Sequence, residues 1–189
     1  EHGYVSDQSS FEQIIYEFEH KSPQERLFLF NVTIQNHGSY TVENYPAQVQ
    51  LTDQPGRYPM AEQYLTLANK TDESFKLLVD YFSRQQQPTI ILMFGDHQPS
   101  VEQEFLDKAY GVTQDQMTME QYMGRYQTPF LIWANYPLPQ TELPVSSLNF
   151  LGQHLLSLSG IRHSVYGDYL SGFEQHLPAF PFFGYMDAD

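Results

Sequence analysis

The sequence predicts an α/β fold, with a mostly parallel sheet and helices on both of its faces. Three observations predict it. The runs RLFLFNVTI (26–34), TIILMF (89–94) and PFLIWA (129–134) are apolar at nearly every position, as strands buried on both faces are. The segments around them place apolar residues at helical spacing. Helix and strand then alternate along the chain, which implies crossover connections and parallel strands. A length of 189 residues suffices for one domain with its own core, and a single domain is expected over 1–189.

The elements follow in order. Residues 9–20 read as a helix, with Phe11, Ile14, Ile15 and Phe18 on one stripe and Asp7 or Ser9 as its cap. KSPQER turns the chain into the first strand, 26–34. Residues 41–59 carry Pro46, Pro55, Gly56 and Pro59 among polar neighbours and read as a surface excursion. A long helix is expected over 60–84, with Ala61, Leu65, Ala68, Phe75, Leu78, Val79 and Phe82 facing inward and Asp72–Lys76 as an exposed ion pair. The second strand is 89–94, residues 101–126 read as short helices in a polar insertion, and the third strand is 129–134. A proline-rich loop leads to a helix over 146–158, lined by Leu148, Leu151, Leu155 and Leu158. The tail from Gly160 is expected to be mostly irregular.

Composition excludes several classes of function. Nine Lys and Arg stand against 23 Asp and Glu, a formal net charge of -14, so the chain lacks the basic surface that nucleic acid demands. An anionic substrate stays open, because a bound metal supplies local positive charge. With no cysteine there is no disulfide, thiolate metal site or thiol nucleophile. No apolar run approaches the roughly 18 residues of a membrane span, so the chain itself is expected to be soluble. It begins at Glu1 without Met, and reads as a piece of a longer protein.

In parallel sheets, ligands sit beyond the carboxyl ends of the strands. Two predicted strand exits carry a histidine beside a glycine: Gln35-Asn36-His37-Gly38 after the first, and Gly95-Asp96-His97-Gln98 after the second. A carboxylate next to an imidazole suits Zn²⁺, Mn²⁺ or a similar divalent ion, and past the strand end Asp96 and His97 can face one side. Asp96 also reads as an ordinary loop or cap residue, and Asn36-His37-Gly38-Ser39 as an ordinary turn. The functional reading of His37 is a donor to a substrate oxyanion.

The ordered set FNVTIQNHGSY, TDESFKLLVDYF, PTIILMFGDHQPS, TPFLIWANY and VSSLNFLGQHLLSLSGI, preceded by GYVSDQSSFEQII, resembles the sulfatase-like domain of lipoteichoic acid synthases. These are phosphoglycerol transferases of the alkaline phosphatase superfamily. The resemblance covers most of residues 3–162 and implies an alkaline-phosphatase-like α/β/α sandwich, present as the C-terminal part of a catalytic domain. It implies Asp96 and His97 as ligands of a divalent metal, Mn first, with Mg, Zn or Ca as alternatives. It implies His37, with Asn36 beside it, at the substrate phosphate, although Ser39 stands where many members have proline. The family's nucleophilic threonine and glutamate ligand lie upstream of the segment this chain resembles, so the chain alone is expected to be inactive, with weak metal affinity. The parent is expected to act on an anionic lipid or glycerophosphate-type substrate at the extracellular face of a bacterial membrane. The upstream half of the domain is its expected partner, and an exposed sheet edge invites self-association. Two other readings stand beside this one: an arylsulfatase-like ester hydrolase, and a non-catalytic polymer-binding module of the same fold.

Overall fold

A serine at position 6 starts the first helix, α1 (Asp7–His20): its hydroxyl accepts the Ser9 N–H, and Asp7 adds negative charge to the first turn. The chain, seen in a computed structural model, is described over residues 3–43, 45–139, 145–180 and 184–185. It divides into two compact units, Glu1–Gln85 with Pro99–Thr118, and Gln86–Gln98 with Met119–Asp189.

In the first unit α1 packs on α2 (Pro59–Phe82) through edge-on aromatic pairs, Phe11 against Phe75 and Phe18 against Phe82 at 5.1 Å between ring centres. Pro59 opens α2, where its missing N–H is no loss. Two of the free N–H groups that follow, on Met60 and Ala61, donate to the Glu102 carboxylate at 2.7 and 3.0 Å. Ala61, Leu67, Leu78 and Phe82 form the buried apolar stripe of α2, but Glu62, Gln63 and Thr66 are buried with them. These three polar side chains hold the excursion 41–58 against the helix. Gln63 exchanges bonds with the backbone of Val42, Thr66 accepts the N–H groups of Gln48 and Val49, and Glu62 accepts those of Leu51 and Gly56. Lys76 pairs with Asp80, one turn beyond itself, rather than with Asp72. The short α3 (Gln103–Tyr110) ends at Gly111, whose φ of 70° is the left-handed cap that glycine adopts without strain.

The second unit holds β1 (Ile90–Phe94) and β2 (Phe130–Ala134), the short α4 (Met119–Gly124), α5 (Leu148–Leu158) and α6 (Val165–Glu174). Phe150 on α5 is fully buried against Phe173 of α6 and Phe180. Within the tail expected to be mostly irregular, α6 is capped by Ser164, whose hydroxyl accepts the Gly167 N–H. Residues 140–144 of the proline-rich loop lie outside the described residues.

Two expectations are corrected here. Among the described residues the sheet has two strands and they run antiparallel, with Ile90 opposite Ala134 and Phe94 opposite Phe130. The described chain is mainly helical, and is neither a mostly parallel sheet nor an α/β/α sandwich. The run 26–34 is also not a strand: it has no ladder partner, with Phe28, Phe30 and Val32 exposed at 79, 73 and 77%. Consecutive apolar residues mark a segment suited to burial on both faces, but a strand exists only where a neighbour completes its ladder. No described segment does so for 26–34. The apolar pattern is likewise blind to strand direction, which depends on the partner and its connection.

Candidate functional site

Because β1 and β2 are antiparallel, the exit of β1 lies beside the entry of β2. The Gly95 N–H donates to the Pro129 carbonyl, and the Thr128 hydroxyl donates to the Gly95 carbonyl at 2.8 Å. A Cβ on residue 95 would stand 3.2 Å from Thr128 Cβ, close enough that the Thr128 side chain would have to give by a few tenths of an ångström. Beyond this clasp the chain leaves the ladder, and the side chains of Asp96 and His97 are 82 and 76% exposed.

Their polar atoms lie close together. The His97 N–H donates to Asp96 Oδ1 at 2.9 Å, which turns the carboxylate back over the following residue. His97 Nδ1 lies 2.9 Å from the Gln98 carbonyl. A carbonyl only accepts, so Nδ1 carries the proton, and Nε2 of the neutral ring keeps its lone pair. Nε2 and Asp96 Oδ2 lie 3.6 Å apart. Two donors at about 2.1 Å from one tetrahedral ion stand about 3.4 Å apart, close to this separation. A ring nitrogen that donates to a backbone carbonyl is also how metal-binding histidines are held in orientation. Among the described residues no group of three or more His, Cys, Asp or Glu side chains gathers into a metal site, so this pair stands as two donors.

Asn36 and His37 belong to the first unit and are built separately. The His37 N–H donates to the Ile34 carbonyl at 3.0 Å, closing a turn whose central residues are Gln35 and Asn36. The Tyr40 hydroxyl holds the Asn36 carbonyl at 2.7 Å. His37 itself is exposed and repeats the arrangement at His97: Nδ1 donates to the Gly38 carbonyl at 2.8 Å, leaving the lone pair on Nε2. Tyr4 meets the ring edge-on at 5.7 Å. An imidazole held this way accepts a proton, or as the cation donates one, at a phosphoryl oxygen.

The apolar pattern does not reveal the groups beneath this turn. Asp7, expected as a cap, is 1% exposed, and Gln35 is equally buried. The Thr71 hydroxyl donates to Asp7 Oδ2 at 2.6 Å, whereas Asp7 Oδ1 has no hydrogen-bond partner. Burial pushes the Asp7 carboxyl above its ordinary 3.8, with the hydroxyls of Thr71 and Thr33 and the backbone of Gln35 pulling it back. A carboxyl raised in the fold adds stability that is complete below its unfolded value and is lost as the pH rises through its folded value. The difference in unfolding free energy between the chain and Asp7→Asn is therefore expected to shift in the chain's favour as the pH falls across the window above 3.8. Denaturant midpoints measured at stepped pH check this. A difference that is flat, or moves the other way, contradicts it.

A cavity of about 320 Å³ lies between α1 and the exposed run, bordered by Ser10, Gln13, Ile14, Leu29 and Phe30. None of Asn36, His37, Asp96 and His97 lines it.

The chain is 27% identical over 181 residues to a putative cyclic beta-1,2-glucan modification protein of Rhizobium meliloti, covering 92% of this chain and 28% of that protein. It is 27% identical over 96 residues to the capsular polysaccharide biosynthesis protein RkpI of the same organism, covering 51% of this chain and 16% of that protein. The chain thus spans less than a third of the curated relatives it matches. Its backbone follows that of the Streptococcus pyogenes phosphoglycerol transferase GacH, solved in complex with sn-glycerol-1-phosphate. The TM-score is 0.68 at 17% identity, over 92% of this chain and 42% of that one, a likeness of fold. No described helix is long and apolar enough to cross a membrane. The profile of the Sulfatase family matches residues 1–161, and the chain belongs to that family.

Proposed function

We propose that this chain is part of a metal-dependent enzyme that transfers a glycerophosphate-type group to a glycan, with Asp96 and His97 as metal ligands and His37, beside Asn36, as the group that meets the phosphate. The observation that carries the reading is the Asp96–His97 pair, with carboxylate oxygen and imidazole lone pair 3.6 Å apart and the other ring nitrogen tied to the Gln98 carbonyl. The resemblance to lipoteichoic acid synthases puts Mn²⁺ first, with Mg²⁺, Zn²⁺ and Ca²⁺ as alternatives. A divalent ion supplies charge neutralisation at phosphoryl oxygens and acidifies a coordinated hydroxyl.

The chain's own groups account for the rest. As the imidazolium, His37 donates from Nε2 to an oxygen of the phosphate, and the Asn36 amide sets the turn that presents it. The attacking hydroxyl belongs to a segment outside this chain, as a threonine would in lipoteichoic-acid-synthase-like enzymes. The fold shared with a phosphoglycerol transferase supports the donor class, and the glucan and capsular relatives support the acceptor class. The resemblance to lipoteichoic acid synthases supports a parent enzyme that works at the extracellular face of a bacterial membrane.

The test is a titration with sn-glycerol-1-phosphate, followed by the ³¹P resonance of the ligand in the presence of Mg²⁺. The expected result is broadening by the chain that His37→Ala reduces by about tenfold in apparent affinity, in line with the loss of a charge-assisted contact. Equal broadening by chain and variant removes His37 from the phosphate. No broadening at all removes the substrate class.

A further inference from the structure

The turn that carries His37 rests on a single hydroxyl. Thr71 on α2 has one proton to give and two lone pairs to receive with. Asn36 Nδ2 donates to Thr71 Oγ1 at 2.8 Å, and Gln35 Nε2 donates to it at 3.2 Å. These are the two central residues of the turn that His37 closes. The proton has two takers, Asp7 Oδ2 at 2.6 Å and the Leu67 carbonyl at 3.2 Å. The second is the ordinary back-bond of a helical threonine. Were the proton there, a lone pair of Thr71 would face the Asp7 oxygen, and the hydroxyl would turn its receiving side away from Asn36. It would also compete for the Leu67 carbonyl, which already accepts from Gln35 Nε2 at 3.2 Å.

With the proton on the Asp7 side, Asp7, Gln35 and Thr71 close one circuit, which leaves Asp7 Oδ1 outside it. The Asp7 N–H donates to Gln35 Oε1 at 3.1 Å, Gln35 donates to Thr71, and Thr71 donates back to Asp7 Oδ2. Such circuits strengthen their members by mutual polarisation. All of Asp7 and Gln35 is buried, while His37 stands outside in solvent, so the circuit lies beneath the turn. Neither Asp7 nor Thr71 is bonded to the His37 ring, whose recorded polar contacts are Tyr4 and the Gly38 carbonyl.

We propose that Asp7 and Thr71 are positioning residues for His37: Asp7 selects the rotamer of the Thr71 hydroxyl, and that rotamer fixes the Gln35–Asn36 turn from which the imidazole is presented. The proposal rests on the phosphate role of His37 for its functional meaning, and on the hydrogen-bond circuit for its structural content.

The test uses the ¹⁵N-labelled chain and reads the His37 imidazole nitrogens together with the contact between the His37 and Tyr4 rings. Thr71→Val is expected to shift the ring nitrogens away from the Nδ1-protonated form and to weaken the cross-peak to Tyr4. Thr71→Ser, which restores the hydroxyl, is expected to restore both. Asp7→Ala, which removes the acceptor of the Thr71 proton, is expected to move the same resonances in the same direction as Thr71→Val. If Thr71→Val fails to fold, Asp7→Ala against Thr71→Ser decides. Lower melting temperatures with unmoved His37 resonances overturn the proposal, since general support of the fold would do only that. Adding sn-glycerol-1-phosphate separates the two readings. A wild-type chain that ignores the ligand sinks the phosphate role, while the His37 resonances still decide the positioning.

Discussion

Phe150→Ala is expected to destabilise the unit that contains α5 and α6 by about 3–5 kcal/mol, the range for removing a large aromatic ring from a packed core. Phe150 has no exposed surface, and its ring packs against Phe173 at 6.4 Å and Phe180 at 5.6 Å. Those two rings also touch each other, at 6.0 Å, so truncation opens a space that neither can fill without leaving the other. The Ser147 hydroxyl adds to the constraint, because it accepts the Phe180 N–H at 2.9 Å and pins that residue to the start of α5. The chain's single tryptophan, Trp133, lies on β2 of the same unit and reports its unfolding by fluorescence. A denaturation midpoint that moves by less than about 1 kcal/mol equivalent would mean that the three rings are not a core.

The second large effect is on metal affinity. Asp96→Ala is expected to weaken Mn²⁺ binding by more than about 10-fold, the lower end of what the loss of an outer-shell partner alone produces in metal sites. The carboxylate does two things here. Its Oδ2 is one of the two donors, and its Oδ1 accepts the His97 N–H, which fixes the backbone that aims the imidazole. Asp96→Asn keeps the second contact and removes most of the charge, so its affinity should fall between those of the chain and of Asp96→Ala. Calorimetric titration with Mn²⁺ at constant ionic strength orders the three. Salt must be fixed because a net charge of -14 attracts cations everywhere. Three equal affinities would show that the ion is held by that diffuse charge.

Some of this was legible in the sequence, and for identifiable reasons. Helices α1, α2 and α5 announce themselves by apolar residues at 3.6-residue spacing, and they begin and end within a few residues of where that spacing places them. The runs around β1 and β2 were equally plain. Strand direction was not, because an apolar run records how much of a segment wants burial and says nothing of its neighbour. Residues 26–34 carry the same kind of run as β1 and stand unpaired, which shows that limit directly.

The buried polar groups were the other blind spot. Glu62, Gln63 and Thr66 look like a solvated helix face, yet they are buried because the loop beside them has backbone groups that need partners. Asp7 and Thr71 were hidden in the same way, since a short polar residue near a helix start reads as a cap and one on a helix reads as surface. A sign was available: an uncapped-looking turn such as Gln35-Asn36-His37 needs something to hold it, and the nearest polar groups on neighbouring helices are where to look. At the candidate metal pair the residue types and their adjacency were readable, because Gly95 marks the end of the ladder. The Nδ1 contact with the Gln98 carbonyl leaves no mark in the sequence, because it depends on how the backbone turns after Gly95.

The central claim is that Asp96 and His97 are metal ligands rather than the polar end of a strand. The most direct measurement is Mn²⁺ added in substoichiometric steps to the ¹⁵N-labelled chain, with line broadening read residue by residue. The account predicts that Asp96, His97 and their immediate neighbours broaden first, and that Asp96→Ala abolishes this selectivity. Broadening spread evenly over the acidic surface, or centred elsewhere and unchanged by the substitution, would contradict it.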